Sequence, residues 1–185
     1  ASGSDNETKT AYITVVNSIP DEIAEGLDYT GSTFTKTGNA NWAKVTDVYY
    51  NGGDSAKSGT ITHSQSCSIE TSVTVTAAKT VKFYWKVSSE ANYDYLRFYI
   101  DGVQMNQISG TVDWTQVSNS LAIGTHTLKW TYLKDSSVSS GSDCGWVDKL
   151  EIVTPTTDPI AEALDYAGLT FTFAGNANWF SQTTT

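Results

Sequence analysis

The sequence has few of the residues that several functional classes require. Only 11 of its 185 residues are Lys or Arg, against 20 Asp or Glu, and the net charge is −9. Binding to nucleic acid needs clustered basic residues, so this balance argues against a nucleic-acid partner. No apolar run approaches the ~20 residues of a membrane-spanning helix. We therefore expect neither nucleic-acid binding nor membrane insertion.

Recognisable catalytic motifs are also absent. The sequence contains no nucleophile elbow, no HExxH motif and no glycine-rich phosphate loop. The close acidic pairs are Glu90 with Asp94, and Asp143 with Asp148. Paired carboxylates can hydrolyse glycosides at a suitable separation, but such pairs are more often surface charges. We predict that the protein is not an enzyme and that it requires no cofactor.

Cysteine is scarce as well. The two cysteines, Cys67 and Cys144, cannot form a zinc site without further ligands. We predict that they form a disulfide, which would close a loop of about 80 residues and stabilise the fold by about 4 kcal/mol. A disulfide would indicate an oxidising, extracellular setting. The alternative is two buried thiols that never meet.

What the sequence does contain is a strong β pattern. Apolar and polar residues alternate in three segments, so that each predicted strand has one apolar face: Val81, Phe83, Trp85 and Val87; Leu96, Phe98 and Ile100; Leu128, Trp130 and Tyr132. Turn signals such as Asn51-Gly52 and Asp101-Gly102 separate the strands. One buried face per strand predicts an all-β fold, a two-sheet antiparallel β-sandwich of the jelly-roll type.

The end of the sequence repeats part of its beginning. Residues 23–42 read IAEGLDYTGSTFTKTGNANW, and residues 160–179 read IAEALDYAGLTFTFAGNANW. Because so much identity at a constant offset indicates an internal repeat, we predict a tandem array. Residues 19–153 are then one complete module, 154–159 a Pro/Thr linker, and 160–185 the truncated start of the next repeat.

Other segments are similar to known families. Those that carry the similarity are FYWKVSSEANYDYLRFYIDG (83–102), DWTQVS (113–118), GTHTLKWTY (124–132) and DCGWVDKLEI (143–152). Residues 80–153 resemble a jelly-roll family of large secreted bacterial proteins, related to MAM and cleaved-adhesin domains. The segment ETKTAYITV, within residues 1–18, resembles the last strand of a polycystic-kidney-disease (PKD) domain. These resemblances imply an extracellular β-sandwich, a class that hosts protein adhesion, sugar binding and purely structural roles.

Aromatic residues beside amides and carboxylates are candidates for sugar binding. Aromatic rings stack on the apolar faces of pyranoses, and neighbouring polar groups bind the hydroxyls. Tyr93 and Tyr95, with Asn92 and Asp94, are the leading candidates in the segment SSEANYDY.

Two tryptophans, Trp42 and Trp114, are further candidates for the same site. Trp42 recurs within the repeated sequence GNANW, and for both tryptophans we favour a structural role.

A structural calcium ion is a further hypothesis. Its candidate ligands lie in two loops, the first holding Glu90 and Asp94 and the second Asp143 and Asp148, with Asp135 as an additional donor. Calcium needs six to eight oxygen ligands. The alternative for Asp148 is that its carboxylate accepts backbone N–H groups where the jelly roll closes.

Our leading functional hypothesis is a non-catalytic structural or adhesive repeat of a long bacterial surface or filament-forming protein. Its partners would be neighbouring copies or modules of the same protein, joined head to tail by strand exchange. The alternative is a carbohydrate-binding module that targets a polysaccharide. Both place the protein outside the cell or at its surface. A sugar binder should expose an aromatic platform, whereas a structural repeat should bury its aromatic residues.

Overall fold

Ten strands and one short helix make up the part of the chain that the structure, a computed structural model, describes: residues 21–155. In chain order these are α1 (Glu22–Gly26), β1 (Thr35–Gly38), β2 (Ala43–Val45), β3 (Ser55–Lys57), β4 (Ser66–Val75), β5 (Lys79–Ser88), β6 (Tyr95–Ile100), β7 (Val103–Ser109), β8 (Thr111–Leu121), β9 (Gly124–Leu133) and β10 (Cys144–Val153). Both the segment that resembles a PKD strand and the second copy of the repeat lie outside these residues.

The strands form two five-stranded antiparallel sheets. The front sheet has the order β1-β4-β9-β6-β7, and the back sheet has the order β2-β3-β10-β5-β8. This arrangement confirms the predicted β-sandwich. Between residues 21 and 155, no helix is both long and apolar enough to cross a membrane.

The predicted apolar faces form the core between the sheets. Phe83, Phe98 and Trp130 are completely or almost completely buried. The ring centroid of Phe83 lies 4.7 Å from that of Phe98 and 5.2 Å from that of Trp130. The opposite faces of the same strands are therefore free to carry function.

The first copy of the repeat supplies one margin of this core. Ile23, Leu27, Phe34 and Trp42 are all buried. The carboxylate of Asp21 caps α1, accepting from the backbone N–H of Ile23 at 2.9 Å, and its other oxygen accepts from the N–H of Phe34 at 2.9 Å. The strands of this segment, β1 and β2, each lie at the edge of a sheet. Residues 21–45 therefore form a strap along the margins of both sheets.

The predicted disulfide is wrong. Cys67, on β4 of the front sheet, and Cys144, on β10 of the back sheet, are free, buried thiols. Burial raises the pKa of each thiol to about 11. The alternative of two thiols that never meet is the one that the structure supports.

Candidate binding face

The outer face of the front sheet carries a row of aromatic and cationic side chains. Because Leu96, Phe98 and Ile100 point into the core, the intervening residues of β6 point outward. These are Tyr95, Arg97 and Tyr99, all partly exposed.

The neighbouring strands place polar side chains beside this row. Arg97 is paired in register with Thr131 of β9 and Gln107 of β7. Tyr99 is paired with Lys129 of β9 and Gln104 of β7. Hydroxyl, amide and ammonium groups therefore surround the tyrosines.

A groove of about 280 Å³ crosses this face. It is lined by Ser66, Ser68, Tyr99, Gly102, Lys129 and Thr131. The hydroxyl groups of Ser68 and Thr131 are hydrogen-bonded at 2.9 Å, which fixes part of the groove's floor. The groove offers one aromatic ring and several hydrogen-bonding groups within a single depression.

Tyr95 lies at one end of this face and is held by two contacts. Its hydroxyl donates to the carbonyl oxygen of Asn92 at 2.8 Å, and the guanidinium carbon of Arg97 lies 4.9 Å from the centroid of its ring. Tyr93 is 56% exposed, and Asn92 is exposed with a φ of 66°. Three of the four leading sequence candidates are therefore accessible to a ligand.

The fourth, Asp94, is not accessible. Its side chain is fully buried and accepts from the ammonium of Lys134 at 2.7 Å and from the backbone N–H of Asp135 at 2.9 Å. The Lys134 side chain is also fully buried and donates to both oxygens of Asp143, at 2.5 and 2.6 Å. Asp94 is a structural residue, because its carboxylate neutralises a buried lysine.

The predicted calcium ligands do not form one site. The carboxylates of Glu90, Asp94 and Asp135 lie within 4.8 Å of one another, whereas Asp143 is paired with Lys134. Burial, and then the charges of Asp135 and Asp94, raise the pKa of Glu90. A structural calcium ion remains a prediction, and a calcium titration of thermal stability checks it.

Asp148 lies away from this cluster, on β10, with its carboxylate against the loop that precedes β3. Its carboxylate accepts from the backbone N–H groups of Tyr50 at 2.7 Å and Asn51 at 2.9 Å. Its other oxygen is buried without a hydrogen-bond partner among the described residues, and burial raises its pKa. The structure confirms the alternative role of Asp148 as an acceptor of backbone N–H groups.

The two tryptophan candidates lie away from the groove. Trp42 is completely buried, which excludes it from a binding surface and supports its structural role. Trp114 is partly exposed, with its ring centroid 6.2 Å from that of Tyr50, which in turn is stacked on Tyr84 at 3.6 Å. The rings of Tyr50 and Tyr84 cover each other, which reduces the aromatic surface open to a ligand.

Sequence reasoning missed Arg97, Tyr99 and Lys129 as candidates. The signal was present, because alternation on β6 and β9 already places these residues opposite the apolar face. Their proximity was not predictable, since it depends on the pairing of β6 with β9.

Comparison with known proteins identifies the fold. The sequence matches no protein-family model and no curated protein. Two solved structures, the K1 and K3 cleaved adhesin domains of Lys-gingipain from Porphyromonas gingivalis W83, match with TM-scores of 0.51 and 0.53. This chain has the fold of the cleaved adhesin domains. The matches cover 67% and 74% of this chain and 94% and 99% of those domains, at 10% and 9% identity.

A larger protein contains the same fold. The secreted serine protease VesC from Vibrio cholerae matches 72% of this chain with a TM-score of 0.52 and 12% identity. The match covers only 28% of VesC. The similarity therefore concerns a β-sandwich within that protein.

Proposed function

We propose that this chain is a non-catalytic carbohydrate-binding domain of an extracellular protein, and that it binds a polysaccharide on the outer face of the front sheet. The observation that carries the proposal is the arrangement of Tyr95 and Tyr99 on one face of β6, flanked by hydroxyl and amide side chains. A sugar binder is expected to expose an aromatic platform; Tyr95 and Tyr99 are partly exposed and have polar neighbours, which supports a sugar binder over a purely structural repeat.

The chemistry of the face suits a pyranose chain. A tyrosine ring covers the apolar face of a sugar, while serine, threonine and glutamine side chains bond to its hydroxyls. The groove of 280 Å³ lies near the lower limit of small-molecule sites, ~300 Å³. Because it lies on a sheet face between strands, it can hold one sugar while the rest of a chain passes over Tyr95.

Binding to a panel of soluble polysaccharides tests the proposal by affinity electrophoresis. We expect Tyr99→Ala to weaken binding at least tenfold. The matched control is Tyr49→Ala, because Tyr49 is 50% exposed and lies in the loop between β2 and β3. Circular dichroism of each variant checks folding. Equal binding by the two variants, or no binding of any polymer by the unmodified chain, would refute the proposal.

The internal repeat supports a second candidate function, head-to-tail assembly as a structural or adhesive repeat. The buried apolar side chains of residues 23–42 recur at an offset of 137 positions, whereas the buried Gly26, where a Cβ would lie 2.9 Å from the backbone of Ser55, is replaced by Ala163. The matching pairs are Ile23/Ile160, Ala24/Ala161, Leu27/Leu164, Phe34/Phe171 and Trp42/Trp179. The strands of the first copy are edge strands, which a second copy could replace without disturbing the central strands.

Light scattering of the chain with and without residues 155–185 tests the assembly. We expect oligomers that disappear on truncation, and also in Trp179→Ala, which removes the equivalent of the buried Trp42. The matched control is Tyr166→Ala, which also alters an aromatic residue of the second copy, but one whose counterpart Tyr29 is only partly buried. A monomer in every case, or oligomers that persist after truncation, would exclude strand exchange by the repeat.

A further inference from the structure

Arg97 is the only arginine in the sequence, and it lies at the centre of the proposed binding face. Within residues 21–155 its side chain forms no ion pair and no hydrogen bond, and its Nε atom is shielded from solvent without a partner. Its guanidinium group lies against the ring of Tyr95, at 4.9 Å from the centroid. One side of the group is thereby held in place, and its donors are not used by the described residues.

This situation differs from that of most other cations in the described part of the chain. Five lysines there pair with carboxylates: Lys36, Lys44, Lys86, Lys129 and Lys134. A chain with 20 acidic residues has ample means to pair a structural arginine. Four described lysines also lack a carboxylate partner, but among these cations only Arg97 has a side-chain nitrogen that is buried without a partner within residues 21–155. This points to a ligand that brings its own negative charge.

The immediate surroundings of Arg97 contain no acid to compete for it. Its partners in register are Thr131 and Gln107, which are neutral. The nearest carboxylate by register on this face is that of Glu70 on β4, and the ammonium of Lys129 lies 3.5 Å from it. With Lys129 paired to Glu70, Arg97 supplies an unpaired positive charge at this position of a protein whose net charge is −9.

We propose that the outer face of the front sheet binds an acidic polysaccharide, with the guanidinium of Arg97 pairing with the carboxylate of a uronic acid. This inference rests on the proposed function and names the class of sugar. A guanidinium presents its donors in a planar fork that matches a carboxylate through two parallel hydrogen bonds. Tyr99 and Tyr95 on either side of Arg97 would stack on the ring that bears the carboxylate or on its neighbour.

The test compares acidic polymers with the same polymers after their carboxyl groups are reduced to alcohols. Polygalacturonate and alginate serve as probes, with affinity measured by calorimetry. We expect the unmodified chain to bind an acidic polymer at least tenfold more tightly than its reduced form. Arg97→Gln should weaken binding of the acidic form about 10- to 100-fold and leave binding of the reduced form unchanged.

Two controls separate recognition from general attraction. Lys79→Gln removes a positive charge from the back sheet, where Lys79 donates to Thr154 at 2.7 Å, and it should bind as the unmodified chain does. Arg97→Lys keeps the charge but loses the planar fork, so it should recover only part of the affinity. Dextran sulfate that binds as tightly as the uronates would overturn the specificity for a carboxylate.

The remaining outcomes distinguish the two proposals. If neutral polymers bind and Tyr99→Ala abolishes their binding while Arg97→Gln has no effect on any polymer, the sugar-binding face stands and the acidic ligand is wrong. If neither the acidic nor the reduced polymers bind, and the wider panel of polysaccharides also fails to bind, both proposals are wrong.

Discussion

Replacing the buried lysine with Lys134→Met should strongly destabilise the domain. The ammonium of Lys134 contacts the fully buried carboxylate of Asp94 at 2.7 Å and both oxygens of Asp143. Although burial opposes the shift, the carboxylates of Asp143 and Asp94 raise the pKa of Lys134. Its removal therefore leaves two carboxylates without their cation.

The magnitude follows from how deeply each partner is buried. Removing one member of a buried ion pair destabilises a protein by about 3–5 kcal/mol. The side chain of Asp143 is 21% exposed, so water would partly compensate for the loss at that end, and we expect about 3–4 kcal/mol. For a domain of this size the loss corresponds to a fall in Tm of roughly 10–15 °C, measurable by calorimetry.

The acid dependence of stability provides a second readout. Although burial opposes the shift, Lys134 and then the hydroxyl of Tyr132 hold the pKa of Asp143 below its ordinary value. This contribution is fully present above the unfolded pKa of about 3.9 and is lost as the pH falls through the lower folded pKa. We expect the Tm of the unmodified chain to fall steeply in that range and that of Lys134→Met to lack this component.

A matched variant separates charge from packing. Adding Asp94→Asn and Asp143→Asn to Lys134→Met removes the uncompensated charges, and we expect it to restore at least half of the lost stability. If Lys134→Met unfolds within about 2 °C of the unmodified chain, or if the added substitutions destabilise it further, the reasoning about the buried pair is refuted.

Three further predictions follow from other parts of the structure. The hydrogen bond to Asp101, and then one to a backbone carbonyl, raise the pKa of His126, so protonated His126 stabilises the fold below the unfolded pKa of about 6.5, and this contribution is lost as the pH rises through the folded pKa. His126→Gln should therefore flatten the dependence of Tm on pH between pH 6 and 9. An unchanged dependence would contradict this prediction. Gly38→Ala should lower the free energy of unfolding by about 3 kcal/mol, because φ is 99° and a Cβ would lie 2.3 Å from the carbonyl oxygen of Ser66. The control Gly31→Ala, with φ of 89° and open space around it, should lower it by only about 1 kcal/mol in chemical denaturation. Equal losses in the two variants would exclude the clash. The two buried thiols, with pKa values of about 11, should not react with a thiol reagent at pH 8 until the chain unfolds. A reductant should leave Tm unchanged. If a reductant lowers Tm, the two cysteines form a disulfide after all.

The sequence predicted the faces of the strands because burial with a period of two is a local property. Phe83, Phe98 and Trp130 were each assigned to the core from their own segment, and all three are buried there. The division into two sheets followed from the single buried face of each strand. Local alternation therefore carried the prediction of the fold class.

The candidate site could be predicted only in part, because it depends on contacts between distant segments. Asp94 resembled a ligand-binding residue within SSEANYDY, and its partner Lys134 lies 40 positions away in sequence. Nothing local indicated that Cys67 and Cys144 would be free thiols. Tyr95 was found because it stands beside amide and carboxylate residues in SSEANYDY, whereas the groove beside Tyr99 requires the pairing of β4, β9 and β6.

The central claim is that the outer face of the front sheet binds sugar, and nuclear magnetic resonance locates binding most directly. The measurement is a titration of the ¹⁵N-labelled chain with trigalacturonate and with its carboxyl-reduced counterpart. The account predicts shift changes that cluster on residues 95–99 of β6 and 129–131 of β9, larger for the acidic sugar. Changes confined to the surroundings of Tyr50 and Trp114, or no changes with either sugar, would contradict it.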